Sequence, residues 1–296
     1  MEYSYYMGCQ VPAQLPNYDL ATRKVAESLD IKLIDLLESG CCGCVIRSVN
    51  PYTWIALSTR ILAMAERTKH DLITICPGCY TTLVEVQSIL SEKPSLRKRM
   101  NTILEKESLI YKGEVKVKHL LTALYFDKGI EEIKKAVTNS LKGLKVAVHY
   151  GCHLNRSHDY QQYDDPESPH ILDNICEVTG AESVYWPLKL WCCGGMTNDQ
   201  ELSFKLGNMK LKDAKASGAD CIVTACPFCQ IQFDNRQRYI SSRFNEDYNI
   251  PVLTFTQLLG LAFGIKEEDL GLQYNRVPVE ELAIASNKDE RKRKEI

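Results

Sequence analysis

Thirteen cysteines in 296 residues are the feature of this sequence with chemical consequences. Their number is odd and no export signal precedes them, so the chain reads as one that keeps its thiols reduced. Abundant thiols in a reducing compartment point to metal ligands before disulfides. Ten of the thirteen fall into a pattern that occurs twice, at an offset of about 145 residues. The first copy is Cys9, then 31 residues, Cys41-Cys42, then 33 residues, Cys76-Pro77-Gly78-Cys79. The second is Cys152, then 39 residues, Cys192-Cys193, then 32 residues, Cys226-Pro227-Phe228-Cys229. The flanks agree as well: Gly8-Cys9 with Gly151-Cys152, Cys42-Gly43 with Cys193-Gly194, and Thr74-Ile75-Cys76-Pro77 with Thr224-Ala225-Cys226-Pro227.

Five thiols per copy narrow the chemistry. Structural zinc takes four ligands in a closed tetrahedron and would leave a fifth thiol over in each half. Ordinary [2Fe-2S] and [4Fe-4S] clusters also use four cysteines, and no Cys-x-x-Cys-x-x-Cys run exists here. Adjacent side chains diverge, so Cys41-Cys42 and Cys192-Cys193 address different irons or bridge two of them. Soft thiolates in this number suit an enlarged iron-sulfur cluster. Zinc remains the alternative that the Cys-x-x-Cys motif alone would suggest.

Positioning these groups requires elements that end at the cysteines. Apolar segments Tyr3 to Met7, Ile31 to Leu36 and Leu72 to Ile75 read as strands, each running into a cysteine group. Helices are expected over Asp19 to Leu29 and after Asn50-Pro51, where asparagine caps and proline fills the first turn, with Trp54, Leu57, Ile61 and Ala65 facing inward. The second half repeats the order: Val146 to Tyr150, a helix near His170 to Val178, Ser183 to Trp186, a helix near Asp199 to Lys215, and Ile222 to Ala225. Val252 to Phe263 echoes Val117 to Phe126, a strand entering a short helix. Helices are also expected to start at Tyr80 and Gln230, just past each Cys-x-x-Cys. The fold class is therefore α/β, with two tandem pseudo-symmetric, Rossmann-like parallel repeats whose cysteine loops lie past the strand C-termini, where open α/β sheets place ligands. The expected divisions are 1–142, 143–265 and a polar, solvated C-terminal tail from 266 to 296.

Composition excludes several classes. Thirty-six basic against thirty-eight acidic residues leave a net charge of -2, so no global field favours nucleic acid or an anionic membrane. The longest apolar stretch, Val252 to Ile265, is interrupted by Thr254, Thr256 and Gln257 and is too short to span a bilayer. The N-terminal Met1 to Tyr6 lacks the basic and apolar regions of a leader, which points to the cytoplasm. Neither a P-loop nor a Gly-x-Gly-x-x-Gly is present, so nucleotide and flavin are not expected to bind through those motifs.

The doubled arrangement of a lone cysteine, a Cys-Cys-Gly and a Cys-x-x-Cys, together with His149-Tyr150-Gly151-Cys152-His153-Leu154, resembles the cysteine-rich CCG-domain family, and within it the B subunits of heterodisulfide reductases. The resemblance covers residues 1 to about 265. It implies two noncubane [4Fe-4S] clusters, one held by Cys9, Cys41, Cys42, Cys76 and Cys79, the other by Cys152, Cys192, Cys193, Cys226 and Cys229. It also implies reductive cleavage of the coenzyme M-coenzyme B mixed disulfide, with electrons from two partners of the same complex, an iron-sulfur C subunit and a flavin-containing A subunit. Other CCG proteins serve succinate, glycolate, lactate and sulfur-oxidising systems, so an electron-transfer component of another oxidoreductase stands beside that reading, as does a nonredox zinc scaffold.

Opening a disulfide to two thiols takes two electrons and a source of protons. His153, beside a ligand, is the candidate proton donor, with a structural hydrogen-bonding role as its alternative. Arg156 is the candidate group for an anionic end of the substrate, or else a surface arginine. Cys176 and Cys221 read as core residues, and Cys44, two residues past Cys42, is left open between a thiol near the first cluster and one with no part in it. His149 reads as a buried, hydrogen-bonded histidine, and His70, His119, His158 and His170 as surface groups.

Overall fold

The computed structural model describes residues 1–156, 164–279 and 282. Its first sheet is built from β1 (Glu2–Tyr6), β2 (Lys32–Asp35), β3 (Leu72–Thr74) and β4 (Val117–His119), all parallel, in the spatial order β2-β1-β3-β4. The second comprises β5 (Lys145–His149), β6 (Glu182–Ser183), β7 (Cys221–Thr224) and β8 (Val252–Thr254), in the order β6-β5-β7-β8. The two sheets are thus topologically identical. In each, the chain reverses its direction of travel across the sheet between the first and third strands. This is the point at which loops diverge and leave a crevice at the strand C-termini.

Helices join these strands and set the loops. In the first half they are α1 (Gln10–Gln14), α2 (Pro16–Ser28), α3 (Pro51–Thr68), α4 (Pro77–Glu92), α5 (Pro94–Leu104), α6 (Leu120–Thr122), which widens into a π-turn over Ala123–Gly129, and α7 (Ile130–Ala136). In the second they are α8 (Cys152–Arg156), α9 (Ile171–Glu177), α10 (Gln200–Ala216), α11 (Pro227–Gln230), α12 (Gln237–Phe244) and α13 (Phe255–Ala262). The capping residue read from the sequence, Asn50, acts as such, and Asp199 caps α10 in the same way. Asn50 Oδ1 accepts from the Thr53 amide at 3.1 Å and Asp199 Oδ1 from Leu202 at 3.0 Å. The helices after the Cys-x-x-Cys motifs start earlier than expected, at Pro77 and Pro227, because proline occupies the first turn without losing a bonded N–H. Strand β6 stops at Ser183 rather than Trp186. The Trp186 indole, fully buried, donates to the Val148 carbonyl at 3.0 Å.

The repeats pack around one continuous core. Each contributes its closing helix to the other: α13 lies against α2, with Tyr18 and Phe255 edge to face at 6.1 Å, and α6 lies against α9. A second crossed pairing sits at the cysteine loops, where α4 meets α8 and α1 meets α11. A pseudo-twofold axis accounts for both pairs. Among the described residues no helix is long and apolar enough to cross a membrane.

Two expectations are corrected here. His119 is not a surface group. It ends β4 fully buried, and its Nδ1 accepts from the Leu121 amide at 3.3 Å, the capping duty that Thr254 performs for α13. Nor is the segment after Lys266 solvated from its start: Leu270, Leu272, Val277 and Leu282 are buried. Asn275 donates to the Val252 carbonyl at 2.7 Å, and Asp234 accepts from the amides of Arg276 and Val277 at 2.9 Å. Its hydrophobic residues are too sparse to show helical or strand periodicity, which is why the composition reads as tail. The remainder of that expected tail, 280–281 and 283–296, lies outside the described residues. Leu270→Ala is expected to lower unfolding free energy by about 2–5 kcal/mol, the range for a buried leucine truncated in a packed site. A urea midpoint within error of wild type would return this segment to the solvent.

Candidate metal centres

Each repeat delivers its five cysteines from three loops to the crevice at the topological switch. Cys9 follows β1, Cys41 and Cys42 follow β2, and Cys76 caps α4 directly after β3. The thiols touch in one sequence, Cys9 to Cys41, Cys41 to Cys42, Cys42 to Cys79 and Cys79 to Cys76. The second repeat reproduces it: Cys152 Sγ lies 3.9 Å from Cys192 Sγ, Cys192 neighbours Cys193, Cys193 Sγ lies 3.3 Å from Cys229 Sγ, and Cys229 neighbours Cys226. Burial is shared too. In both sets the lone cysteine and the first of the vicinal pair are half-buried, while the other three are buried. The structure thus brings the five cysteines of each set together.

The electrostatics fit a cationic occupant. Hydrogen bonds from the thiols of Cys42 and Cys9 and the Gly43 amide hold Cys41 well below the ordinary thiol range. Its neighbours shift the opposite way: Cys9 and Cys79 are pushed up, by hydrogen bonding to adjacent thiols and by burial. In the second set hydrogen bonding to Cys192, with burial, pushes Cys193 up to about 12, and Cys152 and Cys229 rise for the same kinds of reason. Thiols packed this closely oppose one another's ionisation, and a centre carrying positive charge relieves the repulsion by taking them as thiolates. Backbone amides already point at the sulfurs: Gly43 to Cys41 at 3.4 Å, Gly194 to Cys192 at 3.3 Å and Gly195 to Cys193 at 3.3 Å. The donor set and its surroundings fit an iron-sulfur group in each repeat.

The first set lines a narrow cavity whose far wall is Met196, Pro227 and Phe228 of the second repeat. The two sets consequently share a partition, the Cys226–Cys229 turn. Cys44 stands at this cavity, with burial raising its thiol and Thr82 hydrogen-bonded to it. Cys176 and Cys221 are buried away from it in the core shared by the repeats.

His153 lies on α8, half-buried beside Cys152, and its carbonyl accepts from the Thr81 hydroxyl at 2.8 Å, tying the second lone-cysteine loop to α4. Arg156 ends that helix. Its side chain, with Ser157 and His158, lies outside the described residues. His170 is exposed and His70 half-buried.

Two groups were not singled out as site residues by their sequence. His149, at the end of β5, is buried as expected but only half hydrogen-bonded: Nδ1 is 2.9 Å from the Lys189 carbonyl oxygen, and Nε2 has no hydrogen-bond partner. Its ring, Cys193 and Cys229 place their ligand atoms within 4.8 Å of one another. Burial, then the nearby Lys210 ammonium, keeps the imidazole neutral. Lys210 is buried on α10, 4.4 Å over the Trp186 ring, and donates to the Leu188 carbonyl. Burial pushes it down to about 8 against the attraction of Cys229 and Cys193. The signal for Lys210 was a lysine on the core side of an amphipathic helix.

Residues 3–84 and 146–234 each match the cysteine-rich CCG domain, the two segments that carry the cysteine sets and the first three strands of each sheet. Over 280 residues the chain is 36% identical to the B subunit of the ferredoxin/F420H2-dependent CoB-CoM heterodisulfide reductase of Methanosarcina acetivorans, covering 93% of both chains. It is 30% identical to the 8-methylmenaquinol:fumarate reductase membrane anchor subunit of Wolinella succinogenes, over 95% of this chain and 99% of that one. A hypothetical protein from Helicobacter pylori shares the fold, with a TM-score of 0.75 at 16% identity, over 94% of this chain and 52% of that structure.

Proposed function

The chain belongs to the cysteine-rich CCG domain family, and from that premise we propose that it is the disulfide-cleaving subunit of a heterodisulfide reductase, acting on the coenzyme M-coenzyme B mixed disulfide. The observation that carries this reading is the five-thiol set, built twice with the same order of contacts and burial, in a chain that is similar over nearly its whole length to the B subunit of such an enzyme. Each set holds one noncubane [4Fe-4S] cluster, Cys9, Cys41, Cys42, Cys76 and Cys79 the first, Cys152, Cys192, Cys193, Cys226 and Cys229 the second. Such clusters supply single electrons and an iron able to take a thiolate.

The chain's own residues provide the rest. The shared partition between the sets brings two one-electron sources to neighbouring faces, which is what a two-electron scission needs. Met196 and Phe228 give the first set's cavity an apolar far wall. His153, carried beside Cys152 on a helix fixed to Thr81, delivers a proton to a leaving sulfur. Arg156, at the end of the same helix, holds the anionic end of the substrate. Electrons reach the chain through an iron-sulfur C subunit and a flavin-containing A subunit, in the cytoplasm, because the sequence has no dinucleotide fingerprint of its own.

The Wolinella relative favours a second reading, a CCG protein that transfers electrons within another oxidoreductase complex. Anaerobically purified protein is expected to contain about eight irons and matching acid-labile sulfide per chain, with little zinc. Zinc without sulfide would overturn both redox readings. With iron present, the full complex supplied with reductant should cleave the coenzyme M-coenzyme B disulfide to two thiols. A fully loaded complex that leaves this disulfide intact would exclude the first reading in favour of the second.

A further inference from the structure

We propose that His149 is a donor to the metal group of the second cysteine set, so that the two pseudo-equivalent sites differ in ligation: thiolates alone in the first, thiolates and one imidazole nitrogen in the second. The inference rests on the reading that the second set holds an iron-sulfur cluster.

The tautomer follows from the partner of Nδ1. A carbonyl oxygen only accepts, so the Nδ1 that lies 2.9 Å from Lys189 O carries the hydrogen, and Nε2 of the neutral ring presents a lone pair. Nε2 is buried and unpartnered. The ring edges meet Trp186 and Phe233, at centroid distances of 6.0 and 5.2 Å, and these offer nothing for Nε2 to bond. The groups within reach are the sulfurs of Cys193 and Cys229. As thiolates they too present only lone pairs, so three electron-rich atoms converge on one volume. A metal ion in that volume satisfies all three. An N–H given to a backbone carbonyl while the other nitrogen faces the metal is also the usual arrangement that fixes a ligating histidine.

The first repeat lacks this group. Three residues before its lone cysteine, as His149 is before Cys152, stands Tyr6, whose hydroxyl donates to the Gly40 carbonyl at 2.9 Å and which burial keeps as a phenol. A neutral phenol is a poor ligand, and its hydrogen bond turns it towards the loop. The second site alone also has the buried Lys210 ammonium at its side, which offsets part of the thiolate charge.

The test uses the unaltered full-length holoprotein with histidine carrying either natural nitrogen or ¹⁵N, poised where its clusters are paramagnetic and read by pulsed EPR. A histidine-nitrogen coupling of direct-ligand strength is expected on one of the two clusters. It should persist in Tyr6→Phe and vanish in His149→Gln and His149→Leu, with the reduction midpoint of that cluster displaced and that of the other unchanged. Iron-loaded wild type without such a coupling would overturn the inference while leaving the clusters in place, as would a coupling that survives in both His149 variants. Wild type lacking iron and sulfide would overturn the cluster reading itself, and this inference with it.

Discussion

Replacing Cys193 with serine is expected to remove the second cluster and abolish disulfide cleavage, lowering iron from about eight to about four per chain. Cys193 is the junction of its set, its sulfur 3.3 Å from Cys229 Sγ and adjacent to that of Cys192, and it receives the Gly195 amide. Serine offers a harder oxygen on a shorter arm, and the spare thiols lie elsewhere, Cys176 and Cys221 in the core and Cys44 at the first set's cavity. The control is Cys176→Ser. That side chain is fully buried among apolar neighbours, so the hydroxyl should cost about 1–3 kcal/mol of unfolding free energy and leave iron unchanged. Iron and sulfide analysis beside a urea titration reads both variants. Loss of iron in Cys176→Ser with a full complement and full activity in Cys193→Ser would show that the register of the repeat is misassigned.

The register was legible because cysteine spacing is discrete. A lone cysteine, a vicinal pair and a Cys-x-x-Cys recurring in order leave little freedom in aligning the halves, and the strands before them are short apolar runs. What escaped the sequence depends on distant partners. His119 ends a strand, but whether a histidine there is buried depends on the helices that close over it, and those come from elsewhere in the chain. Residues after 266 looked polar because their few apolar members, such as Leu270 and Leu272, fill gaps beside α13 and α2 rather than forming a face of their own. The crossed packing of closing helices was likewise hidden, since each repeat's pattern specifies an apolar face and not which sheet it will cover. Lys210 is the sharpest case. A lysine reads as solvent-facing by type, and only the neighbouring thiols, Trp186 and the Leu188 carbonyl make its burial tolerable.

The glycines before the lone cysteines are expected to be as necessary to the metal sites as the cysteines themselves. Gly8 and Gly151 adopt positive φ, +76° and +82°, turning the chain abruptly from strand end into the crevice. They also bring backbone against the opposing motif: a Cβ on Gly8 would lie 3.0 Å from Cys79 Sγ, and one on Gly151 would lie 3.0 Å from Cys226 Cβ and 3.7 Å from Cys229 Sγ. Alanine at either position therefore carries two penalties. Left-handed backbone costs about 1–2 kcal/mol for a residue with a Cβ, and the methyl group displaces the Cys-x-x-Cys from the other thiols. Gly218→Ala separates them, because Gly218 has φ +75° with nothing within 4 Å of the added carbon. Gly218→Ala should lose about 1–2 kcal/mol of stability and no iron. Gly151→Ala should lose the iron of the second set and Gly8→Ala that of the first, each retaining about four irons per chain. Anaerobic iron and sulfide analysis decides the matter. Full metal content in Gly8→Ala and Gly151→Ala, with stability losses equal to that of Gly218→Ala, would mean that these glycines serve the turn alone and that the closeness of backbone to the Cys-x-x-Cys thiols is not needed to assemble the sites.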